Sequence, residues 1–378
     1  MQTKDIAIIG GGIAGLTLAI CLKNTRFKCH VFEKNPAFEE SDAAICLFPN
    51  ALRVFRHLGF MREVVDAGGG ITKIVMKTQK GKILAQTEPR YQLPAICLHR
   101  KALHAILLKN AEATLYPDHS LESFQNLPDG RVNLTFANGV SRVFDALIGA
   151  DGIHSMVRKG IIGDGAPIFR GYQVWYGIAE TDLEINYTSE TYGNGQRVGI
   201  LPIKNGKYGW WATQNVNLSN DDAPQDAKQN LQTIFGGWHY PIPKLIAETS
   251  QILNASPSDR IPVRGWSKGN CTLLGDAAHP TTPTLGQGGC LAIEGAYILG
   301  EVIRKYGAIE IAFQQYEAIQ FPRAKSIVES SLKLGQVGQF QNSIAVFFRN
   351  LFLRLTPSSI TLNVIDKFFL YDVTALNI

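Results

Sequence analysis

The sequence contains no pair of cysteines at C-x-x-C or C-x4-C spacing and no group of residues at metal-ligand spacing. A dithiol redox motif and a structural zinc site are therefore excluded as its organising chemistry. Its six cysteines (Cys21, Cys29, Cys46, Cys97, Cys271 and Cys290) are scattered. They read as small buried hydrophobes of a reduced, cytoplasmic protein. Blocks of one charge are also missing: 37 basic against 32 acidic residues leave +5, with no Lys/Arg stripe interleaved with aromatics, so no nucleic-acid partner is expected. No clean membrane span is present either. Ile6 to Leu22 is apolar but holds three consecutive glycines, follows Asp5 and has no small-residue cleavage site after it. The segment Ile344 to Arg354 is broken by Arg349 and Arg354. It reads as an amphipathic helix docked on the body of the protein, with membrane-surface contact as the alternative.

What is present is a folded composition, 45% hydrophobic and 18% charged, over 378 residues, which exceeds one compact core and predicts two interlocked domains. Asp5–Ile9 reads as a strand, Gly10-Gly11-Gly12-Ile13-Ala14-Gly15 as G-x-G-x-x-G, and Leu16 to Lys23 as the helix after it. The first glycine suits a tight turn, the second a close approach to a pyrophosphate, and the third close helix–strand packing. A second strand, Cys29 to Glu33, ends in a carboxylate 21 residues after Gly12, placed to accept a hydrogen bond from a ribose hydroxyl. Strand, turn, helix, strand and acid in this order predict dinucleotide binding.

Two further strand ends carry acids. An apolar strand runs to Gly149, followed by Ala150-Asp151-Gly152, with Ser155 at a helix cap and Arg158 one turn in. Cys271 to Gly275 runs into Asp276, then a Pro-stiffened loop through His279, Pro280 and Pro283, then Gly286-Gln287-Gly288-Gly289 opening an apolar helix. Such a helix start offers bare N–H groups and the positive end of a dipole to something partly anionic. Between these, Asn50 is expected to cap a helix running through Leu58, residues 71–79 and 82–87 to pair as strands, and residues 131–136 and 140–148 to form a hairpin. Residues 170 to 215 are expected to form an aromatic antiparallel sheet with one face covered, and residues 224–249 to be helical. Arg100 begins a helix, where a cation opposes the dipole, so a phosphate or flavin edge nearby is expected to explain it.

Together, Gly10–Gly15 with Glu33, Asp151-Gly152 with Ser155 and Arg158, and Gly275-Asp276 through Gly289 resemble the three fingerprints of the group A flavoprotein monooxygenases, and the resemblance covers nearly the whole chain. It implies an α/β fold. A Rossmann-like FAD-binding domain would comprise residues 1–70, 96–165 and 265–305, with an antiparallel-sheet substrate domain at 71–95 and 166–264 and a C-terminal helical segment at 306–378. Cofactor contacts are implied at Gly10, Gly12, Ala14, Gly15, Glu33, Lys34, Arg100, Asp151, Asp276, Pro283, Gly286, Gly288 and Gly289. NAD(P)H is expected to touch Asp151 and Arg158, and substrate to meet Trp175, Tyr176, Trp211 and Pro283. NADPH or NADH would reduce FAD, O2 would add at flavin C4a, and the hydroperoxide would hydroxylate or epoxidise an electron-rich aromatic, enolic or polyene molecule. Only one dinucleotide fingerprint exists, which suits a transient NAD(P)H visit. A monomer or weak homodimer is expected.

Two departures from the family pattern stand out. The loop at residues 36–44 carries two Glu, one Asp and Ala43-Ala44 in place of a glycine-rich segment with Arg, and Tyr176 stands where several relatives have Arg. No general base is evident, and His279 reads as structural. Rival readings are a flavin reductase of the geranylgeranyl-reductase type and a non-catalytic FAD-binding module.

Overall fold

The computed structural model describes residues 3–216 and 226–378. Its first sheet has five parallel strands in the spatial order Cys271–Leu273, Ala146–Gly149, Lys4–Ile9, Phe27–Phe32, Ala113–Tyr116. These strands are largely apolar because both faces are covered, one by helices and the other by the three-stranded antiparallel sheet of Leu121–Asn126, Val132–Phe136 and Ser141–Phe144, whose Phe136 and Phe144 pack on Phe32; Ile6, Ile8, Val31, Leu147 and Ile148 are fully buried. The helices Ile13–Cys21 and Gly288–Tyr306 pack against one another along one side. Three of the five strands end next to a predicted acid, so the carboxyl edge of the sheet carries Glu33, Asp151 and Asp276. This is the side on which open α/β sheets bind ligands.

The second sheet has seven strands in the order Ile252–Ala255, Tyr172–Glu180, Lys207–Asn215, Gln196–Pro202, Thr188–Tyr192, Ile74–Thr78, Ile83–Thr87. All its pairs are antiparallel except Thr188–Tyr192 with Ile74–Thr78, where the chain joins two separate segments in parallel. One face packs on helices Ala227–Phe235 and Ile242–Glu248 through Trp175, Val198, Trp210, Leu231, Phe235 and Leu245. The opposite face looks toward the parallel sheet. These two helices answer to the helical reading of 224–249, of which residues 224 and 225 lie outside the described residues.

Three local expectations are corrected. The long second strand of the hairpin breaks at Asp145: Ser141–Phe144 pairs with Val132–Phe136, while Ala146–Gly149 enters the parallel sheet. Asp145 is the pivot, since its carboxylate accepts from the Asp5 N–H at 2.8 Å and its own N–H donates to the Asp5 carbonyl at 2.9 Å. Asn50 does not cap a helix. The helix Pro49–His57 starts at Phe48, and Asn50 lies inside it, fully buried, donating to Gln287 Oε1 and Glu294 Oε1. The third correction concerns Ser343–Leu355, which is helical as expected but turns its apolar side outward. Only Val346 and Arg349 are buried in it; Arg349 donates to the Gly338 and Gly193 carbonyls, so fastening the helix consumes its polar side.

Candidate cofactor and substrate site

The glycine turn is built for close backbone approach. Gly10 has φ +108° and a Cβ there would lie 2.3 Å from the Ala150 carbonyl oxygen; a Cβ on Gly15 would lie 2.1 Å from the Gly10 carbonyl oxygen. Neither position admits a side chain without moving backbone. The helix that follows has no side-chain cap at Gly12, so its first N–H groups remain available to an anion. Glu33 accepts from the Gly11 N–H through one oxygen and from the Asn35 N–H through the other, each at 3.0 Å, which fixes the carboxylate at the strand end with lone pairs to spare for a hydroxyl. Ala14 is buried beneath the turn, and Lys34 is exposed beside Glu33. His104, missed in the sequence, locks the turn from below: its Nε2 meets the Gly11 carbonyl oxygen at 2.7 Å. A signal for it existed, because Arg100 and His104 stand at i and i+4 on one helix face.

Arg100 opens the helix Arg100–Asn110, and its cationic position has a partner the sequence did not reveal. Its Nε donates to Glu40 Oε2 at 3.1 Å, and its backbone N–H donates to the Ala43 carbonyl. Asp42 likewise pairs with His99 and Lys101. The unusual acids at 36–44 thus answer the unusual cations at 99–101, and the loop lies across the cradle with the Phe38 ring against Gly11 and a Glu40 oxygen beside Gly12. Ala44 faces Gly209 of the second sheet, where a Cβ would come within 2.3 Å, so only small residues fit this junction.

Asp276 remains open to solvent although protein surrounds it, as befits the wall of a cleft. Desolvation raises its pKa while the Arg100 guanidinium lowers it, and the same guanidinium lowers that of Tyr176, which burial raises to about 12. Arg100 therefore stands between the end of a parallel-sheet strand and the face of the second sheet. Past Asp276, Pro283–Leu285 forms a 3-10 turn, Gly286 takes φ +62°, and the helix Gly288–Tyr306 begins without a side-chain cap. Pro283 and Gly286 are exposed, and Gly288 and Gly289 half-buried, at this rim. Buried polar atoms without partners converge there: Thr284 Oγ1, Gln287 Nε2, Asn50 Oδ1 and the Tyr172 hydroxyl, which faces Thr284 without completing a hydrogen bond. Such atoms call for a ligand or water, and with the glycine cradle, the uncapped helix starts and Glu33 they fit an adenine dinucleotide carrying a flavin.

The second fingerprint plays a different part from the one expected. Asp151 accepts from the Ser155 hydroxyl and from the Met156 and Val157 N–H groups, which commits its carboxylate to starting the helix Met156–Ile161. Desolvation raises its pKa, opposed by these hydrogen bonds. Arg158 is 1% exposed; it pairs with Asp164 at 2.6 Å and donates to the Ala277 and Ala278 carbonyls at 2.9 and 2.8 Å. It is a strut bracing the loop after Asp276 and offers no surface to a visiting nicotinamide. His279 is buried against Trp266, and burial lowers its pKa to about 4, so it stays neutral.

In the second sheet, alternation separates neighbours. Trp175 is 2% exposed in the core against the two helices and does not line the cleft. Tyr176 faces the other way, directly across from Trp211, with Tyr172 on the same face two pairs along. Arg197, also on this face, lies over the Trp211 ring and is held by Glu190 at 3.0 Å and Gln339 at 2.8 Å. Tyr172, Arg197 and Gln339 were not legible as site residues, since their grouping depends on the helix Ile309–Gly338 crossing this face.

The comparisons agree with this geometry. The family model described as "FAD binding domain" matches residues 3–331. Aurachin C monooxygenase/isomerase of Stigmatella aurantiaca is 35% identical over 363 residues, covering 93% of this chain and 94% of the relative. The FAD-dependent urate hydroxylase of Klebsiella oxytoca is 30% identical over 352 residues, covering 86% and 88%. Among solved structures, Klebsiella pneumoniae HpxO complexed with FAD and uric acid superposes with a TM-score of 0.87 at 27% identity, over 97% of both chains.

Proposed function

Because this chain belongs to the group A FAD-dependent flavoprotein monooxygenases, we propose that it consumes NAD(P)H and inserts one atom of O2 into a flat, electron-rich aromatic or enolic small molecule. The observation that supports this most is the position of Arg100, which acts electrostatically on both Asp276 and Tyr176. The cofactor cradle and the aromatic face therefore front one cleft. When bound, FAD supplies the relay of electrons from the nicotinamide to O2 and the oxygen transfer itself. The chain's residues do the rest. Gly10, Gly12 and Gly15 would admit the pyrophosphate, Glu33 would take the adenosine ribose, Asp276 would take the ribityl chain, and the bare amides of Gly288 and Gly289 would face the ring and favour negative charge there.

Tyr176 and Trp211, side by side on one sheet face, would wall the substrate on the far side from the flavin. Tyr176 stays protonated at neutral pH, so its hydroxyl can donate to a phenolic or enolic oxygen and fix the ring's orientation. No residue here needs to act as a general base: the aromatic wall excludes water and holds the ring to be oxidised. NAD(P)H approaches without a Rossmann domain of its own, and with Asp151 and Arg158 engaged elsewhere, the exposed Lys34 beside Glu33 is a cation available to meet it.

Aurachin C, the compound in the Stigmatella relative's name, is the first to test, followed by urate, the compound in the Klebsiella oxytoca relative's name. NADH and NADPH oxidation would be followed with each, under isotopically labelled O2. Stimulated oxidation with one labelled oxygen in the product supports the proposal; stimulated oxidation with a reduced, unlabelled product would instead establish a reductase.

A further inference from the structure

The helix Ser343–Leu355 carries Ile344, Phe347, Phe348, Phe352 and Leu355 on its outer side, each between 61% and 72% exposed. The patch continues onto Ile360 and Val364 of the helix Ser358–Phe369. Three phenylalanines exposed on one helix exceed the scattered apolar residues that a water-facing surface normally shows. The inner side of this helix is fully employed, since Arg349 grips two carbonyls and lies over the Tyr192 ring. The helix therefore cannot roll over to bury its phenylalanines without breaking those bonds.

Charge selects the occupant. From Ser330 to Ile365 the chain has no acidic residue, while Arg354 is exposed on the helix that carries the apolar stripe and Lys333 is exposed on the helix before it. A second copy of this face would bring like charges together. An anionic bilayer would meet them with opposite charge and accept the phenylalanines below its headgroups. No described helix is long and apolar enough to cross a membrane, which leaves binding in the interfacial plane. We propose that Ser343–Leu355 docks the protein on anionic lipid surfaces. The opposite side of this helix is tied at Gly193 and Tyr192 to the sheet that bears Tyr176 and Trp211. Docking therefore places that end of the Thr188–Tyr192 strand toward the bilayer, and lipid-soluble molecules would arrive there.

Flotation of the FAD-loaded protein with phosphatidylcholine vesicles, with and without phosphatidylglycerol, tests this independently of any turnover. The wild type should float with the anionic vesicles, less so at high salt. The triple variant F347S/F348S/F352S should lose at least tenfold in bound fraction while keeping its flavin spectrum and melting temperature, and R354E should lose the preference for phosphatidylglycerol while keeping the fold. Failure of the wild type to float would overturn the proposal. So would sedimentation as a dimer that the triple variant dissociates, which would assign the face to a second copy.

Discussion

Glu40→Gln should make the protein bind FAD more tightly. In the structure a Glu40 oxygen sits beside Gly12, about where an anion held by the uncapped helix start would come, and the carboxylate is paired with Arg100. Two like unit charges about 5 Å apart repel by about 3 kcal/mol at an effective dielectric of about 20. The Glu40 side chain is 14% and that of Arg100 34% exposed, so solvent screening weakens both the repulsion and the ion pair that the substitution removes. A net gain of about 1 kcal/mol remains, or about fivefold in affinity. Freed from Glu40, Arg100 becomes available to the cofactor, so Arg100→Gln should act in the opposite direction. Flavin fluorescence titration of the apoprotein, at low and high salt, reads both. Unchanged or weaker FAD binding by the Glu40→Gln protein at every salt concentration would refute the placement of Glu40 at the anion site.

Gly15→Val should abolish FAD retention and most soluble expression, because the new Cβ alone would overlap the Gly10 carbonyl; flavin content of the purified protein measures this. Asp164→Ala should cost about 3–5 kcal/mol, since it strands the buried Arg158, with a correspondingly lower denaturation midpoint. Arg158 holds the Asp164 carboxyl below the usual carboxylate range. Its contribution is therefore present above the unfolded pKa of about 4 and is lost as pH falls through the lower folded value. Asp164→Asn should correspondingly flatten the acid limb of the melting-temperature profile. Trp211→Ala and Trp175→Ala should differ in kind: the first should raise KM with FAD content intact, and the second should cost about 3–5 kcal/mol of stability by emptying a core site.

The parts legible in the sequence were those whose physics is local. Gly10 to Gly15 followed by Glu33 needs only the spacing of a strand, a turn and a helix to declare itself, and the structure reproduces it. Alternation likewise foretold the aromatic sheet, but it could not say which face was lined by helices, so Trp175 and Tyr176 looked equivalent until the sheet acquired neighbours. Arg158 was misread because its partners are distant or carry no charge: two carbonyls more than a hundred residues away and an aspartate in the following loop. Asn50 was misread for the same reason, its bonds running to Gln287 and Glu294 across the domain. The apolar segment after Ile344 showed its helical period, but periodicity does not reveal which side faces solvent when an arginine supplies the anchoring contacts.

The central claim is that reduced flavin in this cleft is used to activate oxygen. The most direct test is to reduce the FAD-loaded protein anaerobically, mix it with oxygenated buffer in a stopped-flow instrument and follow the flavin spectrum. Two phases are predicted, with a distinct spectrum preceding the return of oxidised flavin and lasting longer when an aromatic ligand fills the cleft. Reoxidation in a single phase, with every ligand as without, would contradict the claim.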